Sequence, residues 1–354
     1  MKGYLSFALL LLLPVFTITA QVGGDYTYTF LNQTNSARVA ALGGKSVALP
    51  GDDLNMPFHN PSLLSKEMDN HLVLNYVGYF ADINYGYASY ARSYEGIGNF
   101  AAGLHYINYG DFPYADVYGV RNGYFKASEY ALNLIYSRKI DSLLTLGVNL
   151  KPIYTTFESY TSFGLAADVG LTYYNPDKLF SAALVLKNMG LQLSTYYGGA
   201  EREKLPFEIQ AGFSQKLAYA PFRFSFLFQH LQKWDLQYES TLNDDNNLGF
   251  DEEETLTRSQ KIEDFGDNLL RHVIFGLEFM PGENFYVSLG YNYLRRQELK
   301  ISSRPGMVGF SWGFGFRLSK FHFSYGRASY HLAGASNHFS LSTNLSEFYR
   351  RHQN

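Results

Sequence analysis

The feature that most constrains this chain is a pattern that recurs from about residue 71 to residue 345: some ten residues of alternating large apolar and small or polar side chains, then a turn. A period of two belongs to a strand, whose successive side chains point to opposite faces. In 307–318, Phe310, Trp312, Phe314 and Phe316 fall on one face, with Gly309, Ser311, Gly313 and Gly315 on the other. Phe222, Phe224, Phe226 and Phe228 alternate in the same way with Arg223 and Ser225. Leu165, Ala167, Val169, Leu171 and Tyr173 alternate with Gly164, Ala166, Asp168 and Gly170.

Segments of this kind predict strands near 71–80, 82–92, 97–108, 125–138, 142–154, 161–174, 179–190, 205–217, 221–233, 269–280, 284–296, 307–318, 320–330 and 336–345. That makes fourteen, with twelve and sixteen as the neighbouring even counts. A sheet this large must cover its apolar face, either with a second sheet or with lipid.

Two observations point to lipid. The charges Asp168, Glu208, Arg223 and Glu278 sit on the small-residue parity, where they would face a polar lumen. On the lipid face at the midplane, Arg or Lys would cost about 2–4 kcal/mol. Arg295 and Arg327 fall on the aromatic parity instead; both are expected at strand ends, where a long side chain reaches the headgroups. The second observation is the connections, tight after even strands (Ser93 to Gly96, Lys139 to Asp141, Asn175 to Lys178) and long after four odd ones: Gly110 to Tyr124, Leu191 to Lys204, Trp234 to Asn268, Gln297 to Gly306. Membrane barrels place short turns in the periplasm and long loops outside. The expected fold is therefore all-β: a closed transmembrane antiparallel β-barrel of about 14 strands, closed because lipid cannot satisfy the unpaired backbone of a sheet edge.

Composition fits that reading. The chain carries 30 Tyr and 29 Phe against 2 Trp, and strands and membrane interfaces both favour such rings. The absence of cysteine excludes a lipoprotein anchor, disulfides and thiol catalysis. A net charge of −3 gives no case for nucleic acid as a partner, which needs clustered Lys and Arg. Outer-membrane lipid and lipopolysaccharide are the implied surroundings. At the N-terminus, Lys2, the apolar run Tyr4 to Val15 and the stretch Thr17 to Ala20 read as a Sec signal peptide. The expected division is signal peptide 1–20, a distinct N-terminal segment 21–70, barrel 71–346 and a periplasmic tail 347–354, with Gln21 first in the mature protein.

The segment 21–70 differs from the rest. It holds Phe30-Leu31-Asn32, the run Asn35-Ser36-Ala37-Arg38-Val39-Ala40-Ala41-Leu42-Gly43-Gly44-Lys45, then Asp52-Asp53-Leu54-Asn55 and His59-Asn60-Pro61-Ser62-Leu63-Leu64. This order resembles the N-terminal hatch of FadL-type barrels, fourteen-stranded outer-membrane proteins with a plugged lumen. More narrowly, Phe30 to Gly44, Asn60-Pro61, Asn75-Tyr76 and Phe80-Ala81-Asp82-Ile83-Asn84-Tyr85-Gly86 resemble the PorQ family of the type IX (Por) secretion system of the Bacteroidetes. The resemblance implies a hatch built on Ala37, Gly43, Gly44, Asn60 and Pro61. It also implies partnership with the surface protein PorZ, and with PorV and PorU, in exporting cargo and attaching it to the cell surface, with no chemistry of its own. FadL-type folds also carry hydrophobic small molecules, which is the alternative reading.

Gly43 and Gly44 suit positive φ and close backbone approach, and Asn60-Pro61 suits a fixed turn. In the loop Gly110 to Tyr124, Phe112, Tyr114 and Tyr118 interleave with Asp111, Asp116 and Arg121. Such rings on a rigid scaffold are candidates for protein docking, or equally for a belt at the lipopolysaccharide boundary. The segment Asp235 to Asn268 holds eleven acidic residues, Asp251, Glu252 and Glu253 among them, and is expected to be the largest exterior loop. Its oxygens at Asn243, Asp245, Asn247 and Asp251 miss the spacing of a calcium loop, since Gly249 comes one place late. The nine histidines show no ligand spacing and no assembled triad, so neither a metal, nor a cofactor, nor an enzyme is expected. Phe339 and Phe348 are the aromatic residues nearest a C-terminus that runs on to Asn354.

Overall fold

The computed structural model describes residues 26–199, 201–237, 258–299, 306–331 and 334–349. The expected signal peptide and the start at Gln21 lie outside these residues, as do Asp251, Glu252, Glu253 and the oxygen cluster near them.

Fourteen antiparallel strands form one closed barrel, each paired with its neighbours in sequence. They are β1 (His71–Gly78), β2 (Asn84–Tyr94), β3 (Gly98–Ala115), β4 (Arg121–Lys139), β5 (Leu144–Phe157), β6 (Tyr160–Asn175) and β7 (Phe180–Ser194), then β8 (Glu208–Lys216), β9 (Phe222–Phe228), β10 (Val273–Gly282), β11 (Phe285–Asn292), β12 (Phe310–Leu318), β13 (Phe321–His331) and β14 (Gly334–Asn344). The first and last strands close the sheet, from His71 opposite Asn344 to Gly78 opposite Asn337. Closure pairs the backbone groups that would otherwise face hydrocarbon. No helix among the described residues is long and apolar enough to cross a membrane; this wall crosses with strands.

The two faces divide as the alternation requires. Outside, aromatic residues meet across the strands: Phe213 lies opposite Phe226 with ring centroids 5.0 Å apart, Phe226 continues to Phe275 at 5.2 Å, and Phe316 meets Phe323 at 5.7 Å. Inside, Asp168, Glu208 and Glu278 are buried, which places the charges where the parity put them. Burying them is tolerable only because each is paired, as described below.

Several expectations need correction. The loop Gly110 to Tyr124 is mostly strand, because β3 and β4 continue to Ala115 and from Arg121, with β-bulges where the register shifts between Asn108 and Asp111 and between Pro113 and Ala115. Only 116–120 turns, held by Asp116, whose carboxylate accepts from the backbone N–H of Tyr118 and of Val120, each at 2.9 Å. The eleventh strand stops at Asn292 rather than reaching 296, and Tyr293–Leu299 is helical, started by Asn292 Oδ1 accepting from Arg295 N at 3.0 Å. Arg295 therefore turns toward Gly44, not to the headgroups. Arg327 lies within β13 rather than at its end and donates to Asn337 Oδ1 at 3.1 Å. The tenth strand begins at Val273, since residues up to Arg271 form the helix Arg258–Arg271. At the other end β14 stops at Asn344 and a short helix Ser346–Tyr349 follows, with Phe348 against Phe321 at 5.9 Å and under Lys320.

The lipid face has a direct test. Leu289, in the middle of β11 and opposite Leu277 and Trp312, is exposed. Leu289→Arg is expected to destabilise the barrel in lipid vesicles by about 2–4 kcal/mol, read by urea titration. An unchanged midpoint would place this face out of hydrocarbon.

Candidate functional site

The site begins with the small residues on the inner face. At Gly326 a Cβ would come within 2.1 Å of the Ala37 carbonyl oxygen, and at Gly147 within 2.2 Å of the backbone of Pro61 and Ser62. Glycine is needed there because the backbone of segment 26–70 lies directly on the wall. The smallness of that parity, legible in sequence only as smallness, is thus a footprint of the N-terminal segment.

That segment is pinned by hydrogen bonds as well. The helix Ala37–Ala41 has Ser36 at its N-cap and two wall serines at its ends. Ser340 Oγ accepts from Ala37 N at 3.0 Å; Ser311 Oγ accepts from Gly43 N and donates to the Ala41 carbonyl, both at 2.9 Å. The wall thereby satisfies backbone groups that a helix end leaves open. Gly43 and Gly44, at φ of 99° and 96°, then turn the chain away. Asn60 caps the 3-10 turn Pro61–Leu63 by accepting from Ser62 N at 3.0 Å, while its Nδ2 donates to Val47 O at 2.7 Å and to Thr172 Oγ1 on β6 at 2.9 Å. Ala37, Gly43, Gly44, Asn60 and Pro61 thus all lie where the segment meets the wall.

Charge makes the strongest ties. Arg38 donates to both Glu278 oxygens, at 2.7 and 2.9 Å, with Arg223 at 3.2 Å from the same carboxylate and Asp53 at 3.6 Å from Arg38. Burial works against the charge on Arg38, but the Glu278 carboxylate outweighs it and pushes the guanidinium above its ordinary value. Lys45 donates to Glu208 at 2.7 and 2.9 Å. Within the wall, Lys151 pairs with Asp168 at 2.6 Å. By contrast His59 is held well below its ordinary value, by burial first and then by Lys187, and is neutral at pH 7.

Arg38 and Lys45 form ion pairs with buried wall carboxylates, and neither was singled out in the sequence. A signal did exist: two cations in an otherwise small and apolar run, and the two inward-facing acids Glu208 and Glu278 on the wall. A buried charge demands a partner, and these acids take one from the N-terminal segment besides the wall cations opposite them, Lys187 across from Glu208 and Arg223 across from Glu278.

The candidate docking rings lie apart from this region. Phe112 and Tyr114 are on the strand extension of β3, Phe112 stacked on Phe125 at 5.2 Å, and Tyr118 is 88% exposed in the turn. An apolar groove of about 630 Å³ is lined by Leu74, Tyr76, Phe314, Phe323, Tyr325 and Phe339. Those side chains are on the outer parity, so the groove faces acyl chains and not the lumen. Among the described residues no cluster of His, Asp or Glu has the geometry of a metal site.

No family model and no curated protein matches this sequence. Solved structures do resemble the fold. The toluene transporter TbuX of Ralstonia pickettii superposes with a TM-score of 0.51 at 11% identity, over 89% of this chain and 100% of its own. A ΔS2S3 mutant of TodX, a monoaromatic hydrocarbon channel, gives 0.51 at 12%, over 88% of this chain and 99% of its own. Closed wall, apolar exterior and these likenesses define the class: an integral outer-membrane β-barrel of FadL-like fold.

The ion pairs generate a prediction. Glu278→Ala leaves Arg38 and Arg223 buried without their carboxylate and should cost about 3–5 kcal/mol in detergent unfolding. Gly147→Leu should instead spare the wall and make the segment around Pro61 accessible to protease. A Glu278→Ala protein as stable as the parent would show that the pairing carries no weight.

Proposed function

We propose that this barrel is a non-conducting, plugged component of protein export at the outer surface, of the type IX kind that its N-terminal residues resemble, and that it docks partner proteins. The observation that carries the reading is the fixed hatch: segment 26–70 is tied to β6, β8, β10, β12 and β14 by paired charges and shared hydrogen bonds. Such a plug has no loose side from which to swing. The residues that carry the resemblance are also contact residues: Asn75 donates to Asn55 Oδ1 at 2.6 Å, Tyr85 donates to the Thr34 carbonyl at 3.1 Å, and Ala37 and Asn60 are bonded as above. The partners on this reading are surface proteins of the PorZ kind, with PorV and PorU. The docking surface is the raised β3–β4 ribbon bearing Phe112, Tyr114 and Tyr118, together with the acidic segment around Asp251, Glu252 and Glu253.

A second reading, passage of hydrophobic small molecules, is favoured by the fold likeness to TbuX and the TodX mutant. The structural comparisons support it more than they support export. Fold alone does not assign function, however, because function resides in the site.

Purification of the tagged protein from its native outer membrane in mild detergent separates the two. Export predicts a surface protein recovered in fixed ratio, and predicts that Tyr114→Ala with Tyr118→Ala weakens its retention about tenfold or more, as loss of aromatic anchors does. Recovery of the barrel alone, with a bound hydrophobic molecule identified by mass spectrometry, would replace that reading with transport.

A further inference from the structure

The wall is not of even height. On one side β3 and β4 have 18 and 19 residues, whereas β9 has 7. At about 3.3 Å per residue and a tilt near 40°, seven residues rise roughly 18 Å, short of the ~25 Å apolar band of such barrels. Something else must meet the acyl chains above β9.

At the end of this low stretch stands the C-terminus of the helix Arg258–Arg271, which runs into β10 with only His272 between them; Gln229, next after β9, donates to the Arg271 carbonyl at 3.1 Å and to the His272 carbonyl at 2.8 Å. Two of its sides are occupied. Asn268 is buried and accepts from Leu236 N at 3.0 Å, while Asp267 accepts from Arg271 at 2.7 Å and from Tyr293 OH at 2.6 Å. The remaining arc holds Ile262, Phe265 and Leu269, spaced at three and four residues as one face of a helix requires, and these are 65%, 57% and 40% exposed. Trp234, 51% exposed, extends the arc with its ring 5.3 Å from that of Phe265. Leu269 lies one turn from Val273, the first outward-parity residue of β10, so the arc is continuous with the lipid-facing wall. In water such a stripe would be an unexplained apolar patch; at this height it is the missing part of the band.

We propose that the helix Arg258–Arg271 lies in the plane of the outer leaflet, with Ile262, Phe265, Leu269 and Trp234 inserted among acyl chains to complete the apolar belt above β9. The occupant of this face is lipid, and the inference stands independently of the export reading. An amphipathic helix held this way sits roughly 5–10 Å into the headgroup and acyl boundary.

The chain has no cysteine, so Phe265→Cys and Glu263→Cys each provide one labelling position, on the apolar arc and away from it. Each variant is labelled with an environment-sensitive dye and reconstituted, with no other protein, in phosphatidylcholine vesicles whose chains are brominated near the headgroups. The label at 265 is expected to be quenched at least about twofold more than the label at 263, in keeping with a buried arc and a wet flank. Trp312→Phe leaves Trp234 as the one remaining tryptophan of two, and its emission should be quenched as well. A label at 265 as unquenched as that at 263, in a folded barrel, overturns the proposal. Should Phe265→Cys fail to fold, unquenched Trp234 overturns it.

Discussion

Everything in this structure depends on one constraint: in hydrocarbon, each backbone N–H and C=O must find a partner within the protein. Pairing of β1 with β14 discharges that demand for the wall. It also decides the arrangement of side chains, because a closed antiparallel wall sends every second residue inward. Lipid can accept Phe226 or Leu289, but the interior cannot be left empty. The inner parity is small because the N-terminal segment occupies the space, and charged where that segment brings the opposite charge.

The same constraint explains the polar chemistry. Glu278 and Glu208 would be costly to bury alone. Arg38 and Lys45 remove much of the cost, and in doing so fix the helix Ala37–Ala41 and the turn after it against β10 and β8, two strands apart in the wall. Ser311 and Ser340 complete the arrangement by meeting the open ends of a helix too short to be stable alone. The N-terminal segment and the wall therefore satisfy each other's buried polar groups.

Much of this was legible in the sequence. The alternation around Phe310 to Phe316 gave the strands and their lipid face, and the parity of Asp168, Glu208 and Glu278 gave the interior. What was not legible depends on local competition. Residues 110–124 looked like a loop because glycine, proline and charges interrupt the alternation, yet the hairpin bonds of β3 and β4 carry through with bulges. Tyr293 to Arg296 continued the strand pattern, but Asn292 caps a helix there. The glycines of the inner face announced close approach without naming what approaches, since the contact spans residues far apart in the chain.

Hydrogen exchange of the refolded protein in lipid nanodiscs tests the account most directly. The amides of Ala37, Gly43 and Ser62, bonded to Ser340, Ser311 and Asn60, should exchange as slowly as those of the central strands. Exchange within seconds at these three, beside a protected wall, would mean that the N-terminal segment does not share the fold of the barrel, and the account would fail.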